Sequence, residues 1–294
     1  AVNWDSIVKT IAEQPWVNPA SKSVKKSVAS AFKALGPAGQ PIQNFLHGVW
    51  LGHPLHPALT DVPIGAWTAA VTLDVLDMAA ADDRLAAGAD AAVALGLAGA
   101  VGSALTGLTD WHKTDGNARR IGMIHAVLNT TATTLYAFSL AARRGGNRPL
   151  GRGLAFAGYA LMAGGAYLGG HLVFAERIGV NQTAGEHPPE EFRAVLSTEA
   201  LVEGQPQRAL LDEAPVMLVR SGGTVFALAD TCSHLGCSLS ESSIEDGTVR
   251  CHCHGSRFAL ADGRVLDGPA TYWQPAYDVR VRDGQIEIRL RETA

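Results

Sequence analysis

Charge is scarce in this sequence, and over long stretches it is missing altogether. Residues 91–109, 121–142 and 153–175 contain no Asp, Glu, Lys or Arg. With a net charge of −4 a phosphate-binding surface is not expected, which argues against nucleic acid as a partner. Cysteine is scarce as well: four in 294 residues do not make a disulfide scaffold, and their placement in two loops favours a metal. The chain does not open on the charged start, apolar run and small-residue cleavage site of a secretory leader.

The uncharged runs dominate the first two thirds of the chain. A helix rises about 1.5 Å per residue, so each run can cross a hydrocarbon layer of roughly 30 Å. A fourth segment, 57–81, is weaker because Asp74 and Asp77 interrupt its second half. Counting it as a span covers the apolar face that three spans would leave open. A buried soluble bundle is the alternative, and near-consecutive uncharged runs are hard to place in water. The links around 81–90, 110–120 and 143–153 are short, which predicts an up-down four-helix transmembrane bundle over 47–178. Gly96, Gly99, Gly102, Gly158, Gly165 and Gly169 either let helices approach closely or leave room for a flat cofactor. Residues 1–46, with five lysines and no spanning run, read as amphipathic helices lying on the membrane surface.

The same topology brings the bundle's histidines to one face. His53 and His56 open the first span and His112 follows the second. His125 lies five residues past Arg120, and His171 five before Glu176. Five residues are about 7 Å of helix, so these two are expected at matching depth on neighbouring helices. Ionisable groups inside a membrane are functional candidates by default. His125 and His171 are therefore candidate ligands of a b-type haem or lining of a quinone site, with His53, His56 and His112 behind them. Turn shaping by His53 and His56 beside Pro54 and Pro57, and plain interhelical hydrogen bonding, are the structural alternatives. Asp74 is expected near the opposite face at the interface.

After a linker at 179–190, residues 191–294 change character. Short alternating runs such as "PVMLVR", "TVFALAD", "YDVRVRD" and "QIEIRL" are bounded by the turn signals "SGG", "EDG", "ADG" and "RDG". These predict a small all-β domain, and the whole chain is expected to be a multidomain membrane protein with a four-helix transmembrane bundle followed by that β domain.

All four cysteines fall in "CSHLGC" (232–237) and "CHCHGS" (251–256). Cys232 with His234, and Cys251 with His254, give Cys-x-His and Cys-x-x-His, a donor set that suits zinc or an iron–sulfur centre. The paired motifs resemble the Rieske pattern, in which two thiolates hold one iron and two imidazoles the other. The resemblance covers about 191–294, including Gly268-Pro269-Ala270, which matches the family's proline loop. It implies metal ligation of a 2Fe–2S cluster by Cys232, His234, Cys251 and His254. It also implies a disulfide between Cys237 and Cys253, as in Rieske proteins similar to those of cytochrome bc complexes, and a cluster hydrogen bond from Ser256. High-potential members carry tyrosine where this chain has Phe258, so a lower potential is expected. Separately, "LGHPLHPALTDVPIGAW" resembles the signature of a bacterial four-helix membrane family without an assigned activity, over about 47–180.

Together these imply a membrane-bound electron carrier, passing electrons between the Rieske cluster and a haem or quinone at the histidine-rich face, with the lipid bilayer and a quinone or respiratory redox protein as partners. Such a carrier is either a lone electron-transfer protein or part of a quinol/quinone oxidoreductase. A membrane-anchored ferredoxin serving an oxygenase or desaturase, and a redox sensor, are the other readings. The expected location is the bacterial inner membrane. Basic residues are nearly balanced between the two sides, so the positive-inside rule barely decides orientation. A cytoplasmic Rieske domain is the expectation that the missing leader pattern favours, whereas a disulfide counts the other way.

Overall fold

The computed structural model describes residues 3–186 and 188–291, so the last three residues of the expected β domain lie outside it. The chain divides into two compact units, residues 1–39 with 55–177, and residues 40–54 with 178–294.

The first unit is helical throughout. Helices α1 (Trp4–Ala12) and α2 (Val17–Ala34) precede four long ones, α4 (Leu55–Ala80), α5 (Asp83–Trp111), α6 (Gly116–Arg144) and α7 (Arg148–Phe174). Their ends are written in the sequence. The Asp82 carboxylate accepts from the Arg84 backbone N–H at 2.8 Å to start α5, and the Asn147 side chain accepts from Leu150 N–H at 3.2 Å to start α7. The closest pairs are α4 with α5 and α6 with α7, and contacts of α5 with α6 and α4 with α7 close the ring. Helices α4 and α5 are long and apolar enough to cross a membrane. Helix α6 matches them in length, but its middle is the polar run Asn129-Thr130-Thr131-Ala132-Thr133-Thr134, which dilutes its apolar character.

Glycine spaces in the bundle are filled by protein. A Cβ at Gly96 or Gly122 would strike the indole of Trp67 or Trp111. One at Gly99 would come within 2.6 Å of Val62, and one at Gly165 within 2.6 Å of Asn129. Tyr136 covers Gly158, and the Trp67 and Tyr136 rings stack at 4.0 Å. Of the two uses that glycine allowed, close side-chain interlocking is the one adopted at these positions.

Asp74 lies within two turns of the C-terminal end of α4, level with the last turn of α6 through its partner Arg143. It is fully buried and paired with the equally buried Arg143 guanidinium. Asp90 accepts from Arg143 at 3.1 Å and from Arg148 at 2.8 Å, while Arg152 pairs with Asp77. Three acids from α4 and α5 thus meet three arginines from α6 and α7, which explains why carboxylates are tolerated inside an otherwise apolar helix.

Helices α1 and α2 differ from a purely interfacial reading. Val8, Ala12 and Val17 are buried against Ile121, Ile124 and Leu168, and Lys25 bonds Asp115 at 2.7 Å. Trp4, Ile7, Ile11 and Trp16 remain exposed on the other face. An apolar stripe wide enough to cover the bundle and still face outward reads, in sequence, like a membrane-surface helix.

The second unit carries the β domain. Strands β1 (Arg193–Ser197), β10 (Gln285–Leu290) and β9 (Tyr277–Arg282) form one antiparallel sheet, and β2 (Gln207–Leu211), β3 (Ala214–Ser221) and β4 (Thr224–Ala229) a second. A third sheet runs β5 (Ser243–Glu245), β6 (Thr248–Arg250), β7 (Arg257–Ala259) and β8 (Val265–Asp267). Three hairpins turn where the sequence signals them. Gly222-Gly223, Asp246-Gly247 and Asp283-Gly284 have positive φ at both central residues, the two-residue turn whose twist suits a hairpin. Residues 40–54 belong to this unit rather than to the surface segment and bundle expected from sequence. Most of helix α3 (Gly39–His47) lies here, and Val49 packs on the core that contains Cys232 and Cys251.

Candidate metal centre

The two cysteine-bearing loops are built alike. Cys232 N–H donates to Cys237 O at 2.8 Å, and Cys251 N–H donates to Ser256 O at 2.9 Å. Four residues after each leading cysteine, Gly236 and Gly255 donate back to that cysteine's carbonyl at 2.8 and 2.9 Å. Both glycines take positive φ, 80° and 83°, the conformation that removes the Cβ penalty at such a turn. Each fold-back also aims backbone N–H groups at the sulfur. Those of His234 and Leu235 reach Cys232, and those of Cys253 and His254 reach Cys251. Oriented backbone donors of this kind stabilise an anion.

The two thiols are buried and hydrogen-bonded to each other. That bond lowers Cys251 to about 6, and together with burial it raises Cys232. The imidazoles of His234 and His254 lie further out and half-exposed, with ring centroids 5.0 Å apart and planes at 81°. Each loop therefore contributes one sulfur on the inner side and one ring on the outer side.

A disulfide joins Cys237 to Cys253 with an S–S length of 2.04 Å, as the resemblance implies. It brings the sulfurs of Cys237, Cys251 and Cys253 within 4.8 Å of one another. This trio is not a three-thiolate metal site, because two of its members are spent on the covalent bond.

Ser256 is fully buried, and its Oγ accepts from Ala270 N–H at 2.9 Å. With that lone pair engaged by the proline loop, the hydroxyl proton is left for another acceptor. Phe258 is also fully buried, in the core that includes both thiols.

Two supporting residues escape a sequence reading. Gln274, almost wholly buried, accepts from Ser233 N–H at 3.0 Å and donates to Ala229 O at 2.8 Å, which fixes the strand leading into the first loop. Asp230 accepts from Ser240 N–H and from the Ser238 hydroxyl, both at 2.7 Å, and so fixes the chain leaving that loop. The one available signal was a polar residue amid apolar strands.

The bundle histidines divide differently from the expected pairing. His125 meets His56, not His171, with ring centroids 6.4 Å apart. His125 Nδ1 lies 2.8 Å from Gly165 O, and His56 Nδ1 lies 2.9 Å from Ser103 O. His171 Nδ1 lies 4.0 Å from Asp5 of α1. Nδ1 of His112 is 2.6 Å from Thr109 O, a local helix-end contact. His53, in the second unit, packs edge-on to Tyr272 at 6.1 Å. Rotation about the helix axis, which spacing along the chain does not give, decides which rings meet.

A β domain whose paired loops bring thiol against thiol and imidazole against imidazole is of the Rieske type. The Rieske [2Fe-2S] family description matches residues 191–278, and the one described as "Predicted membrane protein (DUF2231)" matches 52–182. The chain belongs to the Rieske family through its C-terminal domain and carries the predicted membrane domain ahead of it. It is 30% identical over 100 residues to the anthranilate 1,2-dioxygenase ferredoxin subunit of Burkholderia cepacia, covering 34% of this chain and 93% of that one. It is 41% identical over 92 residues to the 3-phenylpropionate/cinnamic acid dioxygenase ferredoxin subunit of Escherichia coli K12, covering 31% and 85%. Among solved structures, the ferredoxin of carbazole 1,9a-dioxygenase from Nocardioides aromaticivorans IC177 aligns with 27% identity and a TM-score of 0.33, over 34% of this chain and 98% of that one.

Proposed function

We propose that the chain is a membrane-anchored Rieske electron carrier of ferredoxin type. The observation that carries this reading is the matched pair of loops, each aiming backbone donors at a buried cysteine and presenting an imidazole outward. Cys232 and Cys251 would hold one iron and His234 and His254 the other, with Ser256 donating to a cluster sulfur. The donor set fits that group, because the two buried sulfurs lie together with backbone N–H groups aimed at each, and the two imidazoles lie together further out. A bound cluster of this kind takes up one electron at a time, and imidazole in place of thiolate raises its reduction potential. The half-exposed His234 and His254 rings form the edge at which a redox partner would approach. The Cys237–Cys253 bond would keep the two loops in register. Similarity to dioxygenase ferredoxin subunits supports an oxygenase as acceptor. Multi-pass insertion in a bacterial inner membrane by α4 to α7 belongs to the same proposal.

A second reading keeps a redox site inside the bundle, and the His56–His125 contact favours it. Thr106 and Asn129 stand beside these rings, with Thr106 Oγ1 3.4 Å from His56 Nδ1 and Asn129 Nδ2 3.3 Å from His125 Nδ1. A quinone headgroup or b-type haem would then exchange electrons with the Rieske domain.

Substitution separates the two readings. Cys251→Ser should abolish iron loading and electron delivery, while H56A or H125A should leave delivery to an artificial acceptor unchanged. Loss of quinol-dependent reduction in H125A, with iron content intact, would favour the bundle site instead.

A further inference from the structure

Residues 40–51 fall outside both family matches, yet residues from 40 onward fold with the Rieske domain. Asn44 of α3 spends its amide on three consecutive residues of the far chain. Its Nδ2 donates to Leu266 O at 3.2 Å and to Asp267 Oδ1 at 2.9 Å, and its Oδ1 accepts from Gly268 N–H at 3.0 Å. Asp267 in turn pairs with Arg257, the neighbour of Ser256, at 3.0 Å. The buried His47 closes over the same turn. A Cβ at Gly268 would come within 2.9 Å of its ring and 3.3 Å of Val49.

What this grip holds is the proline loop. Two residues past Gly268, Ala270 N–H makes the 2.9 Å bond that orients the buried Ser256 hydroxyl. A second link reaches the first cysteine loop: His53 packs on Tyr272, whose carbonyl accepts from the Ser233 hydroxyl at 2.8 Å, one residue past Cys232. A segment that only filled surface would not satisfy a side-chain amide so completely on one three-residue turn.

We propose that residues 40–54 are a built-in wall of the iron–sulfur site and that Asn44 is a positioning residue, acting on the cluster through the proline loop and Ser256. This rests on the Rieske reading, and it extends the functional unit beyond the family's boundary. A purely structural role would lower stability without changing the cluster's electronic properties, because Asn44 itself has no part in metal ligation.

The test uses the full-length protein in detergent, comparing wild type, N44A, S256A and the double variant by redox titration and EPR. The expected result is a negative shift of the midpoint potential and altered g values in N44A at unchanged iron per chain. That shift should be absent when N44A is added to S256A, since residues acting through one hydrogen bond are non-additive. An N44A potential equal to wild type, or a shift that persists in full on the S256A background, overturns the proposal. Should N44A fail to load iron, N44S keeps a polar group at the turn, and an unshifted potential there overturns the proposal equally. A wild type that holds no iron would fail the Rieske reading itself, and the metal analysis reports that outcome separately.

Discussion

A buried thiolate is costly unless something stabilises its charge, and this chain supplies backbone N–H groups and a partner thiol before any metal arrives. Chemical identity at single positions then tunes the site. Phe258 is fully buried beside the thiols, where high-potential relatives of the resemblance carry tyrosine. F258Y adds one donor and is expected to raise the midpoint potential in a redox titration, with iron content unchanged. A potential at or below wild type would show that the new hydroxyl does not reach the cluster. At this scale the sequence was informative through its resemblance to Rieske proteins, which implies the four proposed ligands and the Cys237–Cys253 pair, and the structure forms that pair. Gln274, Asp230 and Asn44 were not legible. The partners of Gln274 and Asn44 lie far away in the chain and those of Asp230 across the ligand loop, and only the completed fold shows what an isolated polar side chain holds.

Elements carry the next layer of stability. The disulfide closes a loop of sequence separation 16 between the two ligand loops. Loop-closure entropy for a ring of this size is about 3 kcal/mol, so C237S/C253S should lose roughly that much in denaturant unfolding of the Rieske domain. A loss well under 1 kcal/mol would mean that the paired backbone bonds alone hold the loops. In the bundle, Arg143 ties α6 to Asp74 of α4 and Asp90 of α5. Removing one partner of a buried pair strands the other charge, so R143M is expected to cost about 3–5 kcal/mol in a detergent unfolding assay. A neutral R143M would indicate that the network is hydrated or dispensable. Three of the four long helices were readable as uncharged runs, the fourth as a weaker apolar segment, and most strands as alternation between turn signals. The short strands β5 and β8 were missed. The docking of α1 and α2 was missed for another reason: amphipathicity says that a face is buried but not against what.

The molecule joins two functions that its sequence keeps apart, an apolar helical domain and a soluble-looking Rieske domain. Domain limits drawn from composition place residues 40–54 with the first, because hydropathy follows chain order. The fold assigns them to the second, since Asn44, His47 and Val49 bind the Rieske core. Likeness to dioxygenase ferredoxin subunits extends over about a third of the chain, and the domain described as a predicted membrane protein lies ahead of the Rieske match. Everything in this account depends on what the paired loops bind. Metal and acid-labile sulfide analysis of anaerobically purified full-length protein, with EPR of the same sample after reduction, tests that most directly. The account predicts iron and sulfide in the equal amounts of a 2Fe–2S cluster and a rhombic signal on reduction. Zinc at one equivalent per chain, with neither iron nor sulfide, would contradict it.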